Sequence, residues 1–132
     1  MKIIGMIPAR LGSTRVKNKN LRLINGIPLI QYVINAAKDS ELLDEIYINS
    51  EAEIFDQIAK NNSLQFYKRP AQLASNEATN DDFALDFMSN INGDLIPEGN
   101  GSILNITYES IIVNEETSVQ LNISDYYIGD SL

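Results

Sequence analysis

Lys2-Ile3-Ile4-Gly5-Met6-Ile7-Pro8-Ala9-Arg10-Leu11-Gly12-Ser13-Thr14-Arg15-Val16-Lys17-Asn18-Lys19-Asn20 opens the chain. Residues 2–7 form a short apolar run that reads as a buried central strand. The run passes straight into a loop with one glycine (Gly12), two hydroxyls (Ser13, Thr14) and four cations (Arg10, Arg15, Lys17, Lys19). A loop of this composition suits a phosphate chain. Backbone N–H groups and small side chains allow close approach, and fixed cations neutralise the oxygens. A plain basic surface loop needs no particular position. This one follows a buried strand, and crevices for ligands lie at the carboxyl ends of strands in open α/β sheets. The spacing is not that of a P-loop, and a single glycine is not a dinucleotide fingerprint.

The rest of the composition narrows the chemistry. The chain of 132 residues is short enough to be a single folding unit. It contains no Cys and no His. Disulfides, Cys/His zinc sites, Ser-His-Asp and Cys-His pairs and histidine general bases are therefore excluded. A metal would be a hard ion on oxygen ligands, with Mg²⁺ the first choice. The net charge of −8 is unevenly spread. Residues 1–69 hold all ten Lys/Arg and carry +3, whereas residues 70–132 hold none and carry −11. The acidic half argues against a nucleic-acid partner and in favour of a small polyanion held locally by the first loop. No apolar run is long enough to span a bilayer, so no membrane partner is expected. The N-terminus turns basic at Arg10 and makes a poor signal peptide, which points to the cytoplasm.

Strands and helices alternate through the first two thirds. Leu21 to Gly26 reads as a short extended piece ending in a turn dipeptide, with Pro28 as the first residue of a helix. Leu29, Ile30, Val33, Ile34 and Ala37 share one face of that helix, to about Lys38. Glu45–Asn49 is a second strand. Glu51–Lys60 is a helix with Ile54, Phe55, Ile58 and Ala59 inward, and Leu64–Tyr67 is a third strand. After a loop from Arg69 to Thr79, Asn80 caps a helix with Ala84, Phe87, Met88 and Ile91 buried, and Asn92-Gly93 ends it. Asp94-Leu95-Ile96 then begins the next core strand. This order predicts an α/β fold of three layers, a parallel sheet with helices on both faces. Pro97 to Ser102 is a connector. Beyond it, Ser102–Thr107, Ser110–Val113 and Ser118–Ile123 read as β-rich segments, so the expected division is 1–96 for the α/β part and 97–132 for a linker and β-rich tail.

Four stretches in order resemble the signature of sugar-activating cytidylyltransferases. These enzymes include the acylneuraminate (CMP-sialic acid) synthetases and their relatives for 3-deoxy-manno-octulosonate and other nonulosonates. The stretches are Ile7-Pro8-Ala9-Arg10-x-Gly12-Ser13-x-Arg15 with Lys19-Asn20-Leu21, then Asn25-Gly26-Ile27-Pro28-Leu29-Ile30, then Tyr47-Ile48-Asn49-Ser50-Glu51, then Arg69-Pro70-x-x-Leu73-Ala74. The likeness covers about residues 2–96. It implies a Rossmann-like nucleotidyltransferase domain, present here incomplete, and CTP and an acidic sugar as partners. By that resemblance Pro8, Ala9, Arg10, Gly12, Ser13, Thr14, Arg15, Lys19, Asn20 and Arg69 bind the nucleotide. Arg10 and Lys19 carry the catalytic role, Lys19 at the α-phosphorus, and Asn20 supports the loop. Mg²⁺ is implied as cofactor, with no ligand assigned in this chain.

The chain departs from the family in places. Asn49-Ser50-Glu51 stands where the family has Ser-Thr-Asp, and Ser75-Asn76 replaces the acid after Leu-Ala. The Gln-x-Pro-Thr-Ser-Pro stretch, the dimerisation arm and the later metal-holding aspartates of the family are not found. The first expectation is therefore transfer of CMP from CTP to an acidic nonulosonate-type sugar. The alternative is a truncated or interrupted, non-catalytic nucleotide-binding fragment that needs a second chain or has lost activity, and a homodimer is also compatible. Asp81, Asp82, Asp125 and Asp130 read as capping and solvated acids before they read as metal ligands.

Overall fold

β1 (Ile3–Pro8) is the strand around which the sheet is assembled, hydrogen-bonded to a parallel neighbour on each side. The computed structural model describes the backbone of residues 3–95, 102–105 and 125–128, and side chains through residue 91. Chain order continues with a two-stranded hairpin, β2 (Leu23–Ile24) and β3 (Ile27–Pro28), then α1 (Leu29–Asp39), β4 (Glu45–Ser50), α2 (Glu53–Asn61), β5 (Gln65–Lys68), α3 (Asn80–Leu95), β6 (Ser102–Asn105) and β7 (Asp125–Ile128). The sheet order is β5-β4-β1-β6-β7, parallel except for the antiparallel β6–β7 pair.

Alternation along the strands sorts the core into two halves. Ile7 and Ile48 point to one face and pack with Ile30, Val33, Ile34 and Ala37 of α1 and Phe55 and Ala59 of α2. Ile4 and Met6 point to the other face and meet Phe83, Ala84 and Phe87 of α3. Tyr47 and Tyr67 set their rings edge-on to Phe87, with centroids 5.3 and 5.1 Å away. The result is the expected three-layer α/β sandwich with a parallel sheet.

The hairpin turns on Asn25 and Gly26, at φ 50° and 76°. Two consecutive left-handed residues make the tight turn that matches strand twist, and Asn-Gly is the pair best suited to it. Leu29 N–H donates to the Arg22 carbonyl at 2.8 Å, and the Tyr32 hydroxyl donates to the Ile24 carbonyl at 2.7 Å. Pro28 is consequently the residue before the helix. It pairs with Leu23 and keeps an extended ψ of 140°, and α1 starts at Leu29.

Other boundaries move for local reasons. α2 begins at Glu53, because the Ser50 hydroxyl takes the Ala52 N–H at 3.1 Å and holds the chain extended there. Ile54 is 46% exposed. Phe55 and Ala59, one turn apart, define the buried line, and Ile54 lies well round the helix from it. Thr79 caps α3 in place of Asn80. Its hydroxyl accepts the Asp82 N–H at 3.2 Å while the Asp82 carboxylate accepts the Thr79 N–H at 2.8 Å, a reciprocal capping box. Asn92-Gly93 does not end α3, which continues through Leu95. A glycine costs a helix only about 1 kcal/mol, and no proline intervenes before Pro97. Asp94 and Leu95 thus close a helix, and the strand beside β1 is Ser102–Asn105. The expected segments 110–113 and 118–123 lie outside the described residues, as do the side chains of Asp125 and Asp130.

Phe87 is fully buried and receives both tyrosine rings. Phe87→Ala is expected to lower stability by about 3–5 kcal/mol, measured by urea unfolding. The Tyr67 hydroxyl donates to Asp86 at 2.7 Å, and burial, then that bond and the Asp86 charge, push it up to about 12 from 10.0. The folded state keeps this proton to higher pH than the unfolded chain does. Its stabilising contribution is whole below about pH 10 and lost as pH rises through about 12. Alkaline unfolding midpoints of Tyr67→Phe should fall less steeply across that window than those of the native chain.

Candidate active site

The loop after β1 is shaped by contacts to distant segments. Ala9 N–H donates to the Asn49 carbonyl at 3.0 Å, and Leu11 N–H to the Glu51 carboxylate at 2.8 Å. Ser13 N–H turns back to the Leu11 carbonyl at 3.0 Å. Asn18, at φ 52°, redirects the chain into one 3₁₀ turn over Lys19–Leu21, with Leu21 N–H on the Asn18 carbonyl. That turn carries Lys19 toward the loop and buries Asn20, whose amide donates to the Arg10 carbonyl at 3.3 Å.

A cleft of about 400 Å³ lies where this loop faces the segment after β5. Pro8, Ala9, Arg10, Ser13, Lys19 and Asn20 line one side. Arg69, Leu73, Ser75, Asn76, Ala78, Asn80 and Phe83 line the other. The cleft therefore brings together seven of the residues singled out in the sequence: Pro8, Ala9, Arg10, Ser13, Lys19, Asn20 and Arg69. Gly12, Thr14 and Arg15 are exposed and lie outside its lining. A methyl group added at Gly12 would meet nothing within 4 Å, so open space adjoins the loop there. Arg10 reaches across and donates from Nη1 to the Ser75 carbonyl at 3.2 Å.

Arg69 is the unusual member. It is only 3% exposed, and among the described residues no carboxylate forms an ion pair with it. Nε donates to Asn49 Oδ1 at 2.7 Å and Nη2 to the Asn49 carbonyl at 2.9 Å. The guanidinium lies 4.0 Å from the centre of the Phe83 ring, a cation–π contact. Burial pulls its pKa down to about 10; the more distant charges of Glu51 and Asp86 act upward and that of Arg10 downward. The group stays charged at neutral pH and desolvated, with no contacting carboxylate among the described residues. A buried charge in that condition is costly, and an anionic ligand would offset the cost.

The sequence motifs pointed to Arg69 and to the loop, but not to Phe83 or to the two-way role of Asn49. Nothing in local sequence signals either one, because both act through contacts between elements. Asp82 is committed to the α3 cap, and burial has no part in holding its carboxyl below the usual range; the Thr79 hydrogen bonds do that. Among the described residues no group of three or more acids is placed to hold a metal. Nor is any described helix long and apolar enough to cross a membrane.

The arrangement of Arg69 makes a stability prediction. Arg69→Met removes a desolvated charge and also two hydrogen bonds, so the opposing effects should leave ligand-free stability within about 2 kcal/mol of the native value. The rise in melting temperature given by added pyrophosphate should shrink in the variant. A loss of stability above about 3 kcal/mol would identify Arg69 as a structural anchor.

Known proteins share this sequence and fold. An N-acylneuraminate cytidylyltransferase of Escherichia coli O18:K1:H7 is 37% identical over 82 residues, covering 62% of this chain and 20% of that protein. A 3-deoxy-manno-octulosonate cytidylyltransferase of Bdellovibrio bacteriovorus is 37% identical over 98 residues, covering 71% of this chain and 40% of that protein. The post-translational flagellin modification protein B of Campylobacter coli is 45% identical over 78 residues, 58% of this chain and 33% of that protein. Among solved structures, a CMP:2-keto-3-deoxy-manno-octonic acid synthetase complexed with CTP shares the fold, with a TM-score of 0.61 at 21% identity over 80% of this chain and 40% of that one. The chain thus spans between 20% and 40% of the length of these curated relatives. The family model described as cytidylyltransferase matches residues 4–120, and the chain belongs to the cytidylyltransferase family.

Proposed function

We propose that this chain binds CTP and serves the transfer of CMP to an acidic nonulosonate-type sugar, with release of pyrophosphate. The observation that carries the reading is the cleft. Arg10, Lys19 and the desolvated Arg69 line it, and no Asp or Glu is among its described lining residues. Such a site favours a ligand with several negative charges. The relatives are named for acylneuraminate and 3-deoxy-manno-octulosonate and the similar solved structure is a complex with CTP, which supports the nucleotide and the sugar class.

The residues suit the chemistry. A sugar hydroxyl attacks the α-phosphorus and gives up its proton to solvent, a P–O bond to the sugar forms, and the bond to pyrophosphate breaks in line. Negative charge gathers on the phosphoryl and leaving-group oxygens as this happens. Lys19 and Arg10 line the cleft on a loop pinned by Asn20, Asn49 and Glu51, and in this reading they meet that charge with little reorganisation. Ser13 lines the same cleft, and Gly12, Thr14 and Arg15 continue the loop outside its lining. Mg²⁺, when bound, adds neutralisation of the phosphate oxygens. The described lining offers it no carboxylate.

A second reading, nucleotide binding with turnover completed by a second chain, draws support from the same carboxylate-free lining. Calorimetry with CTP and Mg²⁺, followed by pyrophosphate release with several nonulosonates, separates the two. Binding with turnover supports the first reading and binding alone the second. No binding removes both.

Lys19→Ala should weaken CTP binding about tenfold, near 1.4 kcal/mol, with little change in the unfolding midpoint. Arg15→Ala, outside the lining, should weaken it less than about threefold. Unchanged affinity in Lys19→Ala would sink the phosphate assignment.

A further inference from the structure

Glu51 lies outside the cleft lining, yet it controls the loop that forms one wall. It follows the last residue of β4 and precedes α2. Its own backbone is fixed, since Lys68 Nζ donates to the Glu51 carbonyl at 2.7 Å. Its carboxylate accepts the Leu11 N–H at 2.8 Å, and the Ser50 hydroxyl donates to its other oxygen at 3.4 Å.

Leu11 sits between Arg10, on the cleft wall, and Gly12-Ser13. Its amide N–H is held by Glu51 and its carbonyl by the Ser13 N–H at 3.0 Å. One residue earlier, the Arg10 carbonyl is held by Asn20 at 3.3 Å. The turn from Arg10 to Ser13 is therefore pinned at successive peptide groups before any ligand enters. The contact with Glu51 joins parts of the chain 40 residues apart. A loop ordered in advance spends less of its binding free energy on ordering.

The geometry points to Glu51 as a positioning residue: its carboxylate fixes the Leu11 amide and so presets the Arg10–Ser13 turn for a triphosphate. The ligand part of this inference rests on the function proposed above. The negative charge of Glu51 has a second, weaker effect, favouring the charged form of Arg69. The acceptor oxygen does the positioning, and the charge is secondary. That separates Glu51→Gln, which keeps an acceptor of the same length, from Glu51→Ala, which does not.

The experiment has two independent readouts on the full chain. The first is amide hydrogen exchange at Leu11 without ligand, followed by NMR. Protection is expected in the native chain and in Glu51→Gln, and about tenfold or greater loss of it in Glu51→Ala. The second is calorimetry with CTP and Mg²⁺, in which Glu51→Ala should raise Kd about five- to tenfold and Glu51→Gln less than about twofold. If Glu51→Ala does not fold, Glu51→Ser, polar but too short to reach Leu11, takes its place. A Leu11 amide that exchanges equally fast in all variants overturns the positioning role. A Glu51→Gln as weak as Glu51→Ala also overturns it, by assigning the effect to charge. A native chain that fails to bind CTP overturns the proposed function, while the exchange result at Leu11 still decides the role of Glu51.

Discussion

One carbonyl oxygen holds the site together. The Asn49 oxygen, near the carboxyl end of β4, accepts the Ala9 N–H at 3.0 Å and the Arg69 Nη2 at 2.9 Å. The loop after β1 and the buried arginine therefore share a single anchor, and the distance between them depends on the register of β1 and β4. The Asn49 side chain is fully buried and must be satisfied too. Its Oδ1 takes the Arg69 Nε, which leaves Nδ2 directed at Met6 Sδ, 3.3 Å away. A slip of the register by one residue would turn Asn49 to the opposite face and dissolve both contacts.

The electrostatics of the cleft come from two kinds of cation. Lys19 is exposed at the end of a loop, whereas Arg69 is desolvated between Asn49 and Phe83. The exposed cation is strongly screened by water and salt; the buried one much less so. This local arrangement gives a chain of net charge −8 a cleft lined by cations. Repulsion from the acidic half is damped over roughly 10 Å at physiological salt, and the nearest charges decide.

α3 connects the core to the cleft. Phe87 fills the space under β4 and β5 and takes both tyrosine edges, while Phe83, one turn earlier on the same face, lies against the Arg69 guanidinium. The helix that completes the second half of the core thus also fixes the plane of the arginine. The Thr79–Asp82 capping box sets where that helix starts, and with it the phase that brings both rings to the sheet.

The sequence alone determined the layering and the address of the site. Short apolar runs alternating with helical periodicity around Val33, Phe55 and Phe87 specify strands, helices and their buried faces, because these signals are local and repeat with the period of the element. The cations after β1 were legible as site candidates by residue type at a strand end, and Arg69 only through the likeness of Arg69-Pro70-x-x-Leu73-Ala74 to the family's stretch. Tertiary structure decided the rest. That Pro28 stays extended follows from its pairing with Leu23, and that Thr79 is the cap follows from which hydroxyl reaches a free N–H. The burial of Arg69, its lack of a contacting carboxylate and the hold of Glu51 on Leu11 depend on groups 20 to 40 residues apart meeting in space. No pattern along the chain encodes such a meeting, since it is the packing of three layers that removes water from one charge and leaves another exposed.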